Sequence, residues 1–268
     1  MVYQTLGDSP VEWAGRTAPE VNEVADADGS VLVAPIASIE QHGHHLPVAT
    51  DTILCDAVAR EGAERARGDV PLLKLPPVWG GFSPHHHDLG GTVTVGHKNL
   101  YDYVTDAAAS AVEYGFDGIL LVNGHGGNGS VLNDCKNKMG VDYPDLEATS
   151  VTYFTLAGAW IDDIRDSELG GMGHAGEFET SLMLHLRPDL VREEEYTTCY
   201  REEPYDHAAP DMFDGGPLST YKPFSHYSET GVLGDPDHAS AEKGEEIFDR
   251  LGDEMEHILG QVHEQSKL

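Results

Sequence analysis

The amino-acid sequence predicts an α/β protein built on a mostly parallel sheet. Residues 31–36 and 118–122 are continuous apolar runs, the pattern of strands buried on both faces. Each run ends in a polar loop carrying histidine and glycine. Segments with helical apolar spacing follow these loops, and strands that alternate with helices make parallel sheets.

Taken in order, residues 1–30 read as turn-rich and acidic, with one short helix before the first strand at 31–36. Helical spacing resumes just after Asp51. Residues 70–76 read as a second strand, followed by a Gly- and His-rich loop over 79–92 and an Ala-rich helix over 97–114. The third strand, 118–122, runs into Asn123-Gly124-His125-Gly126-Gly127-Asn128. A helix follows over 129–139, then a fourth strand over 147–154. The loop 170–176 is glycine-rich and opens a helix at Glu177. Residues 192–230, rich in Pro, Tyr and Asp, read mostly as loop. The last helix covers about 239–264, with Ile247, Leu251, Met255, Ile258, Leu259 and Val262 on one face. No long linker divides the chain, so residues 1–268 are expected to form one domain.

The charge is unusual: 16 Lys and Arg against 47 Asp and Glu, a formal net charge of −31. The acids are scattered, which describes an acidic surface and not a disordered tail. Adaptation to a high-salt cytoplasm accounts for such an excess, since salt shortens the range of self-repulsion. A functional acidic face for a basic partner is the other reading, and the absence of a focus favours the first. Nucleic-acid binding is excluded, because a phosphate backbone needs a basic footprint. Cys55, Cys135 and Cys199 are too few and too far apart for a disulfide framework or a thiolate zinc knuckle. They read as reduced thiols of a cytoplasmic protein. Residues 1–5 carry no signal-peptide pattern, and no apolar run approaches the ~20 residues of a membrane span.

The chemistry gathers where strands end. Glu40, His42 and Asp51 follow the first strand, where open α/β sheets place their ligand sites. Two carboxylates and an imidazole form a mixed oxygen and nitrogen set that suits zinc, manganese or iron. His125 follows the third strand between glycines, and Glu177 opens a helix. Together the five can hold two divalent cations with one carboxylate bridging. Blander roles exist: Asp51 and Glu177 also suit helix capping, and a lone loop histidine commonly just hydrogen-bonds. His85, His86 and His87 read as a metal-scavenging tract or a solvated loop, and His185, His257 and His263 as structural helix residues. The chain has no G-x-S-x-G elbow and no Cys–His nucleophile, which leaves metal-activated water as the candidate nucleophile. The competing class is a non-catalytic protein in which the same ligands staple strand ends around a metal.

Glu40-Gln41-His42-Gly43, Leu46-Pro47 and Thr50-Asp51, then residues 123–128, then His174-Ala175-Gly176-Glu177 with Glu179-Thr180-Ser181, resemble the creatininase family. Ser83 and His86 with Gly91-Thr92, and the segments 231–236 and 239–244, resemble further motifs of that family in the same order. The resemblance implies a three-layer α/β/α sandwich, a site for two divalent metal ions and hydrolysis of non-peptide C–N bonds. It implies Glu40, His42, Asp51 (bridging) and His125 as metal ligands and His174 as proton shuttle. In creatininase proper a glutamate ligand stands where this chain has Gly127, and Glu177 is the expected replacement. Creatininase proper also has aromatics at the positions of Gly126 and Gly170, so a different cyclic amide, a formamide or a peptide-like substrate is expected here. The family includes a formamidopyrimidine nucleotide deformylase of flavin and deazaflavin biosynthesis and a peptidase acting on a redox-cofactor precursor. Gly126 and Gly127 are expected to open the site to a small-molecule substrate, with Ser83 and His86 in its wall. A homo-oligomer, a hexamer among the options, completes what the resemblance implies.

Overall fold

The computed structural model describes residues 7–268 except 203–204, 209–210 and 214–215. The readings for residues 1–5, and for those six positions within 192–230, lie outside the described residues. Four parallel strands form the sheet: β1 (Val31–Ile36), β2 (Leu72–Lys74), β3 (Gly118–Asn123) and β4 (Glu147–Thr152), in the order β2-β1-β3-β4. Every residue of β1 and β3 is buried, which is why their sequences are continuous and not alternating.

Alternate residues of these strands feed two separate cores. Val31, Val33, Leu120 and Val122 pack on one face with α2 (Thr50–Ala66), α5 (Glu177–Leu186) and α6 (Ala241–Gln265). Leu32, Ile36, Ile119 and Leu121 pack on the other with α1 (Ala18–Ala25), α3 (His97–Val112) and α4 (Gly129–Asp142). The result is a helix–sheet–helix sandwich. The apolar stripe of α6 meets the core through Ile247, Leu251, Met255, Leu259 and Val262, while Ile258 is only half-buried.

The sheet order reverses direction between β1 and β3, the switch point at which α/β sheets open a crevice. The strand ends are flush there: Ile36 lies opposite Asn123, and Asn123 opposite Thr152. The loops after β1, β3 and β4 therefore leave the sheet side by side.

Three expectations are trimmed. The strand over 70–76 contracts to Leu72–Lys74, because Pro71 and Pro76 have no N–H for the ladder. The strand over 147–154 stops at Thr152, and Tyr153–Ala159 winds into a tight 3-10 turn that buries Tyr153 and Phe154. Within 192–230, the described residues include short turns at Glu193–Glu195 and Phe224–His226. Among the described residues no helix is long and apolar enough to cross a membrane.

Basic residues are used economically. Arg65 of α2 serves Glu61 on its own helix and Asp249 and Asp253 on α6, one cation against three carboxylates. Acids outnumber basic residues 47 to 16, so pairing cannot cancel the negative charge. Screening falls from a range of about 10 Å at 0.1 M salt to about 3 Å at 1 M. Raising KCl from 0.1 to 1 M should stabilise the protein by ~1 kcal/mol or more, raising the melting temperature by about 2–4 °C per kcal/mol. A melting temperature that stays flat across that range would remove the high-salt reading.

Candidate active site

The loops after β1 and β3 bring Glu40, His42, Asp51 and His125 together, all buried. Asp51 lies in the first turn of α2, but Ala49 is the N-cap and no side chain caps that helix. The Asp51 carboxylate faces inward. Its Oδ1 is 3.0 Å from His42 Nε2 and its Oδ2 is 3.1 Å from His125 Nδ1. One oxygen thus faces each imidazole, which is the position of a bridging ligand.

The outer hydrogen bonds determine which ring nitrogens present lone pairs. His42 Nδ1 donates to the Glu40 carbonyl at 3.1 Å, so Nε2 is the lone-pair side. His125 Nε2 donates to the Phe82 carbonyl at 3.2 Å and also meets Ser83 Oγ at 3.0 Å, so Nδ1 is the lone-pair side. That Nδ1 stands 2.9 Å from Glu40 Oε2. Two lone pairs at such a distance repel unless a cation or a proton lies between them. Glu40 Oε2, His42 Nε2 and Asp51 Oδ2 are buried without any hydrogen-bond partner, an arrangement that natural proteins leave to an ion or to ordered water. The donor set fits a divalent transition-metal ion. Ligand-capable trios are Glu40–Asp51–His125, His42–Asp51–Glu179 and Glu40–His42–His174.

Glu177 is not among them, which corrects the sequence expectation. Its carboxylate accepts the N–H groups of Asp166 (3.0 Å) and Ser167 (2.9 Å) and pairs with Lys243. It ties a loop and α6 to the start of α5. Glu179 turns inward instead, with Oε2 3.9 Å from His42 Nε2 and 2.6 Å from the Ala175 N–H that it accepts. Residues two apart on a helix project about 200° from one another, so only one of this pair can face the site. Ala175 takes a left-handed backbone conformation (φ 55) just before α5, and this aims its N–H at Glu179. Ser83 is a second correction. It is fully buried behind His125, bonded to that ring and to Ser38 Oγ at 2.5 Å, and does not line the cavity.

The glycines of the β3 loop have steric causes. A Cβ on Gly124 would lie 2.4 Å from Cys55 Cβ, and one on Gly127 would lie 2.4 Å from both His125 Nε2 and the Phe82 carbonyl. With this backbone no side chain fits at 127, so the third carboxylate has to come from elsewhere. The asparagines are structural too: Asn123 Oδ1 accepts the His125 N–H, and Asn128 bridges the Phe82 N–H and the Ala37 carbonyl.

Gln41 escaped the sequence reading. The Gly43 N–H fixes its amide through Oε1 (3.0 Å), and its Nε2 then donates to His86 Nδ1 at 2.9 Å. His86 is left to donate through Nε2 to Glu40 Oε1 at 3.1 Å. This relay holds Glu40 with its second oxygen pointed at His125. His174 Nε2 donates to the Gln41 carbonyl at 2.7 Å, leaving Nδ1 toward the pocket, 3.8 Å from Glu40 Oε1. The cavity above these groups has a volume of about 280 Å³, lined also by His85, His86, Gly126, Phe154, Met212 and Phe224. Phe224 lies over His86 and His174, ring centroids 3.9 and 4.9 Å away. It comes from the region read as featureless loop, where no local signal marks it.

Burial and three clustered carboxylates set the electrostatics. Burial would lower His42, but Asp51, Glu179 and Glu40 outweigh it and lift the imidazole to about 10. His125 is likewise raised well above its ordinary value by Glu40 and Asp51 against burial. Burial pushes Glu179 up to about 7, with His42 opposing. Burial, His42 and His86 hold His174 well below the usual imidazole range, so it is a neutral proton acceptor at pH 7. A divalent cation must therefore displace protons from His42, His125 and part of the Glu179 population. Groups raised in this way bind protons in competition with metal, so affinity rises with pH, about tenfold per unit for each proton released. Calorimetric zinc or manganese titrations in buffers of different ionisation enthalpy should show at least one proton released at pH 7. Glu179→Gln should lower the bound-metal stoichiometry, whereas Glu177→Gln should keep it and lower the melting temperature. The opposite pattern would return the ligand role to Glu177.

The family model described as Creatininase: Creatinine amidohydrolase matches residues 14–259. A mycofactocin precursor peptide peptidase of Mycobacterium tuberculosis is 33% identical over 252 residues, covering 89% of this chain and 91% of that one. A creatinine amidohydrolase of Pseudomonas putida is 28% identical over 242 residues, covering 83% and 86%. A solved creatinine amidohydrolase superposes with a TM-score of 0.79 at 28% identity over 94% of this chain and 97% of that one. A Zn–Zn form of a creatininase variant (TM-score 0.79, 26% identity, 96% and 99% covered) and a creatininase named for Mn (0.77, 26%, 96% and 99%) are similarly close. With the family model spanning nearly the whole length and the fold superposing on solved creatinine amidohydrolases, this chain belongs to the creatininase family.

Proposed function

We propose that the chain is a metal-dependent hydrolase of amide C–N bonds that uses two divalent cations, zinc, manganese or iron. The observation that carries this is Asp51 facing one imidazole with each oxygen, amid buried polar atoms without partners. His125, Glu40 and Asp51 would hold one ion, and His42, Asp51 and Glu179 the other. A bound pair of divalent cations supplies a water acidified toward neutrality and an electrophile for the amide carbonyl.

The remaining work falls to the protein. Glu40 is held for its task by His86 and Gln41. His174 presents an Nδ1 lone pair to the cavity, takes the proton released as the nucleophile forms and gives it to the departing nitrogen. Phe224 shields these groups from bulk water. At Gly126 a Cβ would meet nothing within 4 Å, so the glycine leaves the cavity wall open where creatininase proper carries an aromatic.

The substrate reading favours a peptide-like amide. The peptidase relative is the more similar one in sequence, and a second cavity of about 310 Å³ adjoins the first and shares Gly126 and Gly127 with it. A small cyclic amide or formamide is the second reading, favoured by the structural likeness to creatinine amidohydrolase and by the modest size of the first cavity. A homo-oligomer in the cytoplasm belongs to the same proposal, and a sedimentation mass of one chain would remove the oligomer.

Metal-stripped protein reloaded with zinc or manganese should hydrolyse short peptides faster than creatinine or a formamidopyrimidine nucleotide. Turnover of one of the latter alone would select the second reading. Firm metal binding with no turnover of any of the three would favour a structural metal protein. His174→Ala should retain its cations while hydrolysis falls by at least about 100-fold. Loss of a cation in that variant would make His174 a ligand and not a shuttle.

A further inference from the structure

One backbone position beside the site is held against its own preference. Ala175 is the single non-glycine among the described residues with a left-handed backbone (φ 55), a strained conformation that persists only where the surroundings enforce it. Both ends of this residue are tied to α5. Its N–H donates to Glu179 Oε2 at 2.6 Å, and its carbonyl accepts from Thr180 Oγ1 at 3.4 Å. Thr180 is fully buried, and its hydroxyl meets His45 Nε2 at 3.1 Å. The hydroxyl proton points to Ala175, so the imidazole is the donor to Oγ1 and carries its N–H on Nε2. His45 Nδ1 is buried with no hydrogen-bond partner, and the ring stands edge-on to Tyr196 with centroids 5.0 Å apart. A side chain kept for packing alone would be apolar here, since an unpartnered buried nitrogen is destabilising.

We infer that His45 is a positioning residue that, through Thr180 and the Ala175 peptide, sets the Glu179 carboxylate for the cation shared with His42 and Asp51. His45 stands in the loop after β1 that carries His42, and Thr180 follows Glu179 on α5. Their contact joins the two elements that bring His42 and Glu179 together, across 135 positions of sequence. The backbone of His45 is anchored as well, its carbonyl accepting the Arg192 N–H at 2.9 Å. Without the His45 N–H the Thr180 hydroxyl is free to rotate away from the Ala175 carbonyl. The Ala175 peptide then loses one of its two holds and relaxes out of the left-handed region, carrying its N–H away from Glu179. The cation rests on the two-cation reading above, whereas the orientation of Glu179 rests on these hydrogen bonds alone.

Calorimetric manganese titrations of the metal-stripped full chain resolve the cations, and the step lost in Glu179→Gln marks the one held by His42, Asp51 and Glu179. In His45→Leu that step should weaken about 10–100-fold, the usual effect of removing a group that orients a ligand. The step at Glu40, Asp51 and His125 should change less than about threefold, and the melting temperature should hold or rise. Thr180→Val should match His45→Leu, and combining the two should add nothing, because both act through one chain of hydrogen bonds. His45→Gln keeps an N–H donor at similar reach and should bind within about threefold of wild type. Unchanged binding in both His45→Leu and Thr180→Val overturns the inference. An equal loss in His45→Gln with a lower melting temperature overturns it too, and makes His45 a packing residue. Wild-type protein that takes up a single cation would remove the two-cation reading, and crystal structures of metal-free wild type and His45→Leu then decide the role of His45. In the variant Ala175 should leave the left-handed region and Glu179 Oε2 should part from its N–H, and an unmoved Ala175–Glu179 pair overturns the inference.

Discussion

The structure depends on keeping three buried carboxylates, Glu40, Asp51 and Glu179, within reach of one another. Isolated carboxylates in such a place would take up protons, because burial disfavours the charged form. Here each one is restrained from outside the cluster. Glu40 is pinned through one oxygen by His86, Glu179 by the Ala175 N–H, and Asp51 by its place in the first turn of α2. The free oxygens and the lone pairs of His42 and His125 then converge. The same positions that make the cluster unfavourable without a cation are those of a candidate cation site.

Much of the surrounding sequence is explained by those restraints. Gln41 stands between Glu40 and His42 and offers no ligand atom to the cluster, yet it sets the orientation of His86 and receives the His174 N–H on its backbone carbonyl. Ser83 and the Phe82 carbonyl orient His125 from behind. Asn123 and Asn128 hold the loop that carries it. Ligands are easy to notice in a sequence, whereas their supports are ordinary polar residues whose partners lie tens of residues away.

The comparison with creatinine amidohydrolase turns on where one carboxylate enters. Gly127 leaves no room for a side chain, and Glu179 enters the same cluster from α5 on the opposite wall. Met212 and Phe224 close part of the space from the long segment after α5.

The chain by itself determined the fold class, because buried parallel strands must be apolar throughout and the helices between them must repeat every three to four residues. It also determined the positions of Glu40, His42, Asp51 and His125, since strand ends at a sheet crevice are where ligands gather. It left Asp51 open between capping and ligation, and the tertiary structure turns its carboxylate between two rings and leaves the N-cap of α2 to Ala49. It held Glu177 and Glu179 in one motif and the sequence reading took Glu177, whereas which of the two faces inward depends on how α5 is rotated against the sheet. That rotation is set by the packing of α5 on α6 and by the Lys243 pair with Glu177, contacts between residues 66 positions apart. The place of Phe224 over His86 and His174 was equally hidden. A loop without periodicity carries no record of what it covers, and only the folded chain brings it over the site.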